Sequence, residues 1–264
     1  MSTPARRAII TGGASGIGAA IATRLLADGA SVAIADPDER ALQSWSGSPS
    51  VTCLAVDVAD PDALEESLPV VIREWGGVDL LVNAAGIAGP VGLAEDCDPA
   101  EWARCVAVGL VSHFLAARLV IPVMKQQHEG VIVNIGSTSG LFGVGLRTAY
   151  AASKSGLIGL TKSLAVELGP WQVRVNLICP GSVSGARIRR IAEAEAHIRG
   201  TTADTVEAEY VAGQSIARLV EPAEVADLVY FLASPAARMI TGQVIAVDGH
   251  TETFHLPGPP SAAH

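Results

Sequence analysis

The chain has 264 residues, 49% of them apolar, and a formal charge of −9. This acidic balance argues against a nucleic-acid or anionic-membrane surface, and no run reaches about 18 uninterrupted apolar residues, so a bilayer span is not expected. The four cysteines, Cys53, Cys97, Cys105 and Cys179, have no metal-ligand spacing. They read as reduced thiols of a cytoplasmic protein, and no metal is expected. Met1 to Arg7 leads straight into an apolar run, unlike a signal peptide.

In chain order, Ala8–Thr11 is a short apolar run ending in a glycine-rich turn, and apolar residues then recur at helical spacing from Ile17 to Leu26. Ser31–Ala35 is a second strand ending at Asp36, and Val51–Val56 a third ending at Asp57. Asp60-Pro61 opens a helix towards Trp75, and Val78–Val82 is the fourth strand, followed by Asn83-Ala84-Ala85-Gly86. Pro99 starts a long helix to about Lys125, bent near Gly109 and Pro122. A fifth strand, Val131–Ile135, precedes Ser137, and a helix spans Thr148 to Leu168. A sixth strand, Val173–Ile178, leads to Pro180-Gly181, a helix starts at Pro222, and a last strand is Val244–Val247. Strands alternating with helices, with no linker or repeat, predict one doubly wound α/β domain. It is a Rossmann-type parallel sheet of about seven strands over residues 1–253, followed by an irregular Pro-rich tail at 254–264.

Ligands of such sheets bind at the carboxyl ends of the strands. The turn Gly12-x-x-x-Gly16-x-Gly18 lies at one of these ends and opens a helix, whose free N–H groups and positive dipole end suit a pyrophosphate. A plain tight turn would use the same glycines. Asp36, ending the next strand, is placed to accept hydrogen bonds from an adenosine ribose. It would meet a 2′-phosphate with like charge, a penalty of about 1–4 kcal/mol, and Pro37 and Asp38 follow instead of a cation. NAD is therefore favoured over NADP. Asp57 is placed either to reach the adenine amino group or to cap the following turn.

Tyr150 and Lys154 are four residues apart, so they lie one above the other on a helix. An ammonium about 5 Å from a phenol favours the phenolate by roughly 3 kcal/mol at an effective dielectric of ~20. The pair can then serve as acid and base for a hydroxyl/carbonyl couple near neutral pH.

Together these residues resemble the short-chain dehydrogenase/reductase family from Arg7 to about Gly249. The resemblance rests on Thr11-Gly12-x-x-x-Gly16-x-Gly18, Asp57-Val58, Asn83-Ala84-Ala85-Gly86, Ser137, Tyr150-x-x-x-Lys154, Asn176 and Pro180-Gly181. It implies an NAD-dependent oxidoreductase interconverting a secondary alcohol and a ketone. Tyr150 would be the general acid/base, Lys154 would lower its pKa and hold the nicotinamide ribose, and Ser137 would bind the substrate oxygen. The cofactor would lie against Gly12, Ser15, Gly16, Ile17, Gly18, Asp36, Asp57, Val58, Asn83, Ala84, Ala85, Gly86, Tyr150, Lys154, Pro180, Gly181, Val183 and Ser184. The family is typically dimeric or tetrameric, through the long crossover helices. One departure stands out: the family's relay Asn, before the serine strand, aligns with Gly109. Glycine keeps the backbone carbonyl that holds a relay water, at a helix-propensity cost of about 1 kcal/mol, but lacks the amide that ties the bend to the sheet. An assembly or regulatory subunit with weakened catalysis is the competing expectation.

Residues of about 185–215 are expected to form a substrate lid. Its arginines, Arg187, Arg189, Arg190 and Arg199, would either bind an anion or pair on a solvated helix, as Arg189 and Glu193 can. Ser139, Arg147 and Arg187 are the substrate-side candidates, and His250 and Thr251, after the last strand, are placed to border the pocket in the same chain or across a subunit interface. With few large apolar lid residues, a small polar alcohol is expected, such as a polyol, sugar-acid or hydroxy-acid. A 3-oxoacyl thioester is the alternative.

Overall fold

Strand β1 (Arg7–Thr11) shows how the sheet is built in this computed structural model, which describes residues 7–251. Ala8 and Ile10 face one hydrophobic core, and Ile9 faces a second on the opposite side. The two-residue period of a strand sends neighbours to opposite faces, so an unbroken apolar run serves a sheet covered on both sides. The same division recurs in β2 (Ser31–Asp36), with Val32 and Ile34 against Ala33. In β4 (Leu80–Asn83), Leu80 and Val82 oppose Leu81. In β5 (Gly130–Ile135), Val131 and Val133 oppose Ile132. With β3 (Val51–Ala55), β6 (Val173–Pro180) and β7 (Val244–Val247), these form a parallel seven-stranded sheet in the order β3-β2-β1-β4-β5-β6-β7. This is the expected doubly wound fold, and the chain reverses its direction of travel across the sheet between β1 and β4.

The helices are α1 (Gly16–Leu26), α2 (Glu39–Gln43), α3 (Pro61–Trp75), α4 (Pro99–Val106), α5 (Ser112–Gln127), α6 (Ser139–Phe142) and α7 (Thr148–Leu168). They are followed by α8 (Ala186–Arg199), α9 (Ala203–Ala212) and α10 (Pro222–Ala233). Helices α1 and α10 cover one face, and α3, α5 and α7 the other. Asp60 and Asp98 accept N–H bonds at the starts of α3 and α4, each next to a first-turn proline. Such a cap is worth about 1 kcal/mol and fixes where the helix begins.

Most strand ends shift by a residue or two from the sequence reading, and one shift has a tertiary reason. The fourth strand starts at Leu80 and not at Val78, because the Gln127 side chain takes both polar groups of the Val78 backbone, at 3.0 and 2.7 Å. Asp79 is held by Arg7 at 2.5 Å. The bend expected near Gly109 is a turn of π-helix over Ala107–Val111 that joins α4 to α5. The segment expected as a lid is a pair of helices, α8 and α9. By length and composition Pro99–Gln127 could cross a bilayer, but Ala116, Ala117, Val120 and Met124 are spent on the second core. The tail at 254–264 lies outside the described residues.

A buried polar chain ties the middle of the sheet to two helices. Asn83 Nδ2 donates to Asn134 Oδ1 at 3.0 Å and to the His113 carbonyl at 3.2 Å, and Asn134 Nδ2 donates to Thr161 Oγ1 at 2.9 Å. Paired this way, buried amides fix the heights of β4, β5, α5 and α7 relative to one another.

Candidate active site

A cavity of ≈ 320 Å³ opens where β1, β4, β5 and β6 end. Its nucleotide side is the β1–α1 turn. Gly12 has φ +64, and a Cβ there would lie 2.7 Å from the Ala85 Cα; a Cβ on Gly18 would lie 2.2 Å from the Gly12 carbonyl oxygen. These residues must be glycine for the turn to pack. Gly16 has φ +54 with open space beside it, and the Ser15 side chain does not cap α1. The first-turn N–H groups are thus left for an anion, as a dinucleotide pyrophosphate requires. Gly12, Ser15, Gly16, Ile17 and Gly18 all line the cavity, as do Ala84, Gly86 and the stretch Pro180, Gly181, Val183 and Ser184.

Asp36 is buried at the end of β2. Its Oδ2 accepts the Ala14 N–H and its Oδ1 the Asp38 N–H, both at 3.1 Å. The carboxylate braces the glycine turn and keeps further lone pairs for a ribose. The other acid of the nucleotide set is engaged elsewhere: Asp57 accepts the Ala59 N–H at 3.0 Å and pairs with Arg104 on α4 at 2.5 Å. None of Asp36, Asp57 and the buried Val58 belongs to the cavity wall. Asn83 and Ala85 support that wall from behind, Asn83 through the amide chain and Ala85 through its carbonyl, 3.1 Å from His113 Nε2.

The chemical side is built on the end of β5 and the start of α7. Lys154 is 4% exposed, and its Nζ donates to the Ile135 carbonyl at 2.9 Å. That places the ammonium 5.8 Å from the centre of the Tyr150 ring. Burial pushes the Tyr150 phenol up. Lys154, Arg147, a hydrogen bond with Ser137 and Arg187 together outweigh burial and hold it below its usual value of 10. Burial likewise lowers Lys154 against the opposing pull of Tyr150. The Ser137 hydroxyl also accepts the Ser139 N–H at 3.1 Å, and this fixes its oxygen at the cavity wall. Ser137, Ser139, Tyr150 and Lys154 therefore meet at one surface. A hydroxyl bound there faces a phenol poised to exchange a proton and a serine able to hold the oxygen.

On the substrate side, Arg147 and two of the lid arginines, Arg187 and Arg190, line the same cavity, with Tyr210, which the sequence reading had not proposed for the site. Arg189 and Arg199 do not line it. Arg189 pairs with Asp204 at 2.5 Å and with Glu193 at 3.3 Å, and Arg199 with Glu195 and Glu209 at 2.9 and 2.7 Å. The solvated-helix reading holds for these two. Tyr210 donates to Glu195 at 2.8 Å. His250 and Thr251, expected at the pocket border, do not line this cavity; His250, φ +68, lies 2.7 Å from Ser215 Oγ through its Nδ1, and the Thr251 N–H donates to Asp248 at 3.1 Å. His113 was also invisible beforehand. It is fully buried, and burial and then Lys154 push its pKa down to about 3, so it is a neutral imidazole behind the Ala85 turn. Its only sequence signal is its spacing of four from Gly109, which puts both on one helix face.

Gly109 is buried in the π turn against α7. A Cβ there would meet Ser153 Oγ at 2.7 Å and Ser153 Cβ at 3.1 Å, and Ser153 Oγ is itself engaged with the Tyr150 carbonyl at 2.8 Å. In this chain, then, the glycine is a packing requirement of the helix that carries Tyr150 and Lys154.

Comparison with known proteins gives a consistent family. The family model described as enoyl-(acyl carrier protein) reductase matches residues 12–250. The 2-(S)-hydroxypropyl-CoM dehydrogenase 3 of Xanthobacter autotrophicus is 35% identical over 245 residues, 91% of this chain and 94% of that protein. A D-beta-hydroxybutyrate dehydrogenase of Rhizobium meliloti is 36% identical over 252 residues, 92% of this chain and 97% of that protein. The structure of NAD+-bound xylitol dehydrogenase superposes with a TM-score of 0.88 at 27% identity, covering 93% of this chain and 98% of that one.

Two outcomes follow from the geometry. Gly109→Asn should lower stability by about 1–3 kcal/mol through overpacking, and not improve turnover. In a double-mutant cycle read by denaturant melts, Ser153→Gly should recover part of that loss; additive effects would contradict the steric account. If Tyr150 is the base in alcohol oxidation, its phenolate is the active form, and kcat/KM should rise with pH along a limb whose midpoint lies below 10. Lys154→Met removes the strongest opposing cation and should move that limb to higher pH by about one unit or more, measured in a pH–rate profile.

Proposed function

The chain belongs to the short-chain dehydrogenase/reductase family and is an oxidoreductase of secondary alcohols and ketones; on that premise we propose that it is NAD-linked and acts on a small polar substrate through Ser137, Tyr150 and Lys154. The observation that carries this reading is the shared cavity. It holds a phenol with lowered pKa, a fixed serine hydroxyl and a glycine turn that opens a helix. The buried Asp36 carboxylate supports NAD over NADP, since a 2′-phosphate would have to approach it without a compensating cation beside it.

In oxidation, Ser137 holds the substrate oxygen and Tyr150 takes its proton. When bound, the nicotinamide supplies the hydride acceptor. Lys154 and Arg147 stabilise the phenolate before the proton arrives, and Lys154 binds the ribose from below. Cavity walls from β4, β5 and β6 keep the reacting atoms aligned. In reduction the same phenol returns the proton.

Similarity to a 3-oxoacyl-[acyl-carrier-protein] reductase of Thermotoga maritima, 35% identical over 246 residues, favours a second reading, reduction of the ketone of a 3-oxoacyl thioester. The same site chemistry would serve it, and Asp36 weighs against its usual phosphorylated cofactor. The four cysteines are unpaired thiols, which fits a reducing, cytoplasmic compartment. Exposed Val111 and Phe114 on the long crossover helix and Val166 on α7 support a homodimer or homotetramer joined through these helices. Light scattering during gel filtration should give a mass of at least two chains, and a monomer at micromolar concentration would refute the assembly.

The functional test is a cofactor-linked screen. Wild-type protein should reduce NAD+ with a secondary alcohol at a kcat/KM at least about tenfold above that with NADP+. Tyr150→Phe should lose roughly a hundredfold or more in kcat while still binding NADH by fluorescence. A Tyr150→Phe variant with unchanged activity would refute Tyr150 as the acid/base, whereas wild-type protein that binds NADH but turns over no alcohol would support a non-catalytic, nucleotide-sensing role.

A further inference from the structure

The charges lining the cavity are all of one sign. Arg147, Lys154, Arg187 and Arg190 line it, and no aspartate or glutamate does. Three of the four have evident reasons to stand without a carboxylate. Lys154 donates to the Ile135 carbonyl and faces Tyr150. Arg187 and Arg190 are exposed on α8, where water solvates them.

Arg147 is different. It is 9% exposed and stands at the N-cap of α7. Its guanidinium carbon lies 4.1 Å from the centre of the Tyr150 ring. Nη2 makes one long bond to the Ala88 carbonyl, at 3.5 Å, and Nε is buried with no partner. No ion pair engages it among the described residues, although Arg189 and Arg199 nearby each take two or more carboxylates. A buried guanidinium with an unfilled donor is costly unless something completes it. Its fork of donors matches a carboxylate bidentately. The preceding Leu146 has φ +63, so the backbone is turned sharply to present this side chain.

We propose that Arg147 is the specificity-determining residue of this site and receives the carboxylate of the substrate, so that the alcohol oxidised is a short-chain hydroxy acid. This rests on the redox reading above and narrows its substrate class. The stacking of Arg147 on the Tyr150 ring sets the length. An anion on the guanidinium and a hydroxyl on the phenol are separated by little more than the ring itself, which suits a few carbons between them. A neutral polyol would leave the fork unfilled. A thioester has no carboxylate to offer it next to the reacting carbon.

The test compares each acid with its own amide, which preserves shape and removes charge. Wild-type enzyme is assayed with NAD+ on 2-hydroxypropanoate, 3-hydroxybutanoate and 4-hydroxypentanoate, and on the corresponding primary amides. The best acid should exceed its amide by at least about thirtyfold in kcat/KM, mostly through KM. Arg147→Gln should cost that acid roughly a hundredfold and its amide under about tenfold, with partial recovery in Arg147→Lys. NADH titration and the thermal midpoint of Arg147→Gln show whether fold and cofactor site survive, and the acid/amide ratio of wild type needs no variant. Equal use of acids and amides with NAD+ reduction would overturn the assignment of Arg147 and leave the redox reading standing. Equal losses on both in Arg147→Gln would also overturn it, because a structural role does not distinguish charge. No NAD+ reduction with any alcohol would sink the redox reading, and the inference with it.

Discussion

A lysine ammonium held out of water is the constraint on which this site depends. Lys154 is almost wholly buried, and a buried charge survives only if its donors are answered. The Ile135 carbonyl answers one donor, at the end of β5. The Tyr150 phenol, a turn earlier on α7, supplies the facing group that gains from the charge. The end of β5 and the start of α7 must therefore stay in register. The Asn83–Asn134–Thr161 amide chain provides that register, tying β4 and β5 to α7 just beneath the ammonium. Gly109 contributes from the other side, since only a residue without a side chain lets the π turn lie against Ser153.

The second half of the site comes from strand order. Because β4 lies between β1 and β5, the glycine turn after β1, Ala84–Gly86 after β4 and Ser137 after β5 fall along one edge. The Pro180–Ser184 stretch after β6 completes that edge. A dinucleotide laid along it would run from Asp36 to Tyr150. Over this edge, α8 and α9 are joined by their own mostly exposed ion pairs, Arg189 with Asp204 and Arg199 with Glu209, which water screens. Their effect is less on stability than on charge. They neutralise Arg189 and Arg199, so the positive potential that remains belongs to the cavity.

Much of this was legible from local pattern. The glycine spacing, the four-residue step from Tyr150 to Lys154 and the acid ending β2 each carry their meaning within a few residues, because a turn, a helical step and a strand end are local geometry. Even the bend at Gly109 was readable, since a glycine in a long apolar helix weakens it at that point. Asp57 shows the limit. As an acid at a strand end it could equally touch adenine or cap a turn, and Arg104, 47 positions further on, takes it.

The sequence by itself determined the parallel α/β class, the glycine turn and the residues able to do acid/base chemistry, because hydrophobic period and motif spacing are properties of neighbouring residues. Only the tertiary structure decided which charges are satisfied. It shows Arg189 and Arg199 neutralised on the outer helices and His113 held neutral behind the wall. It shows Arg147, by contrast, buried over Tyr150 with a donor unfilled. Whether a charge is met by an opposite one depends on burial and on partners distant in sequence, and those are set when the elements pack.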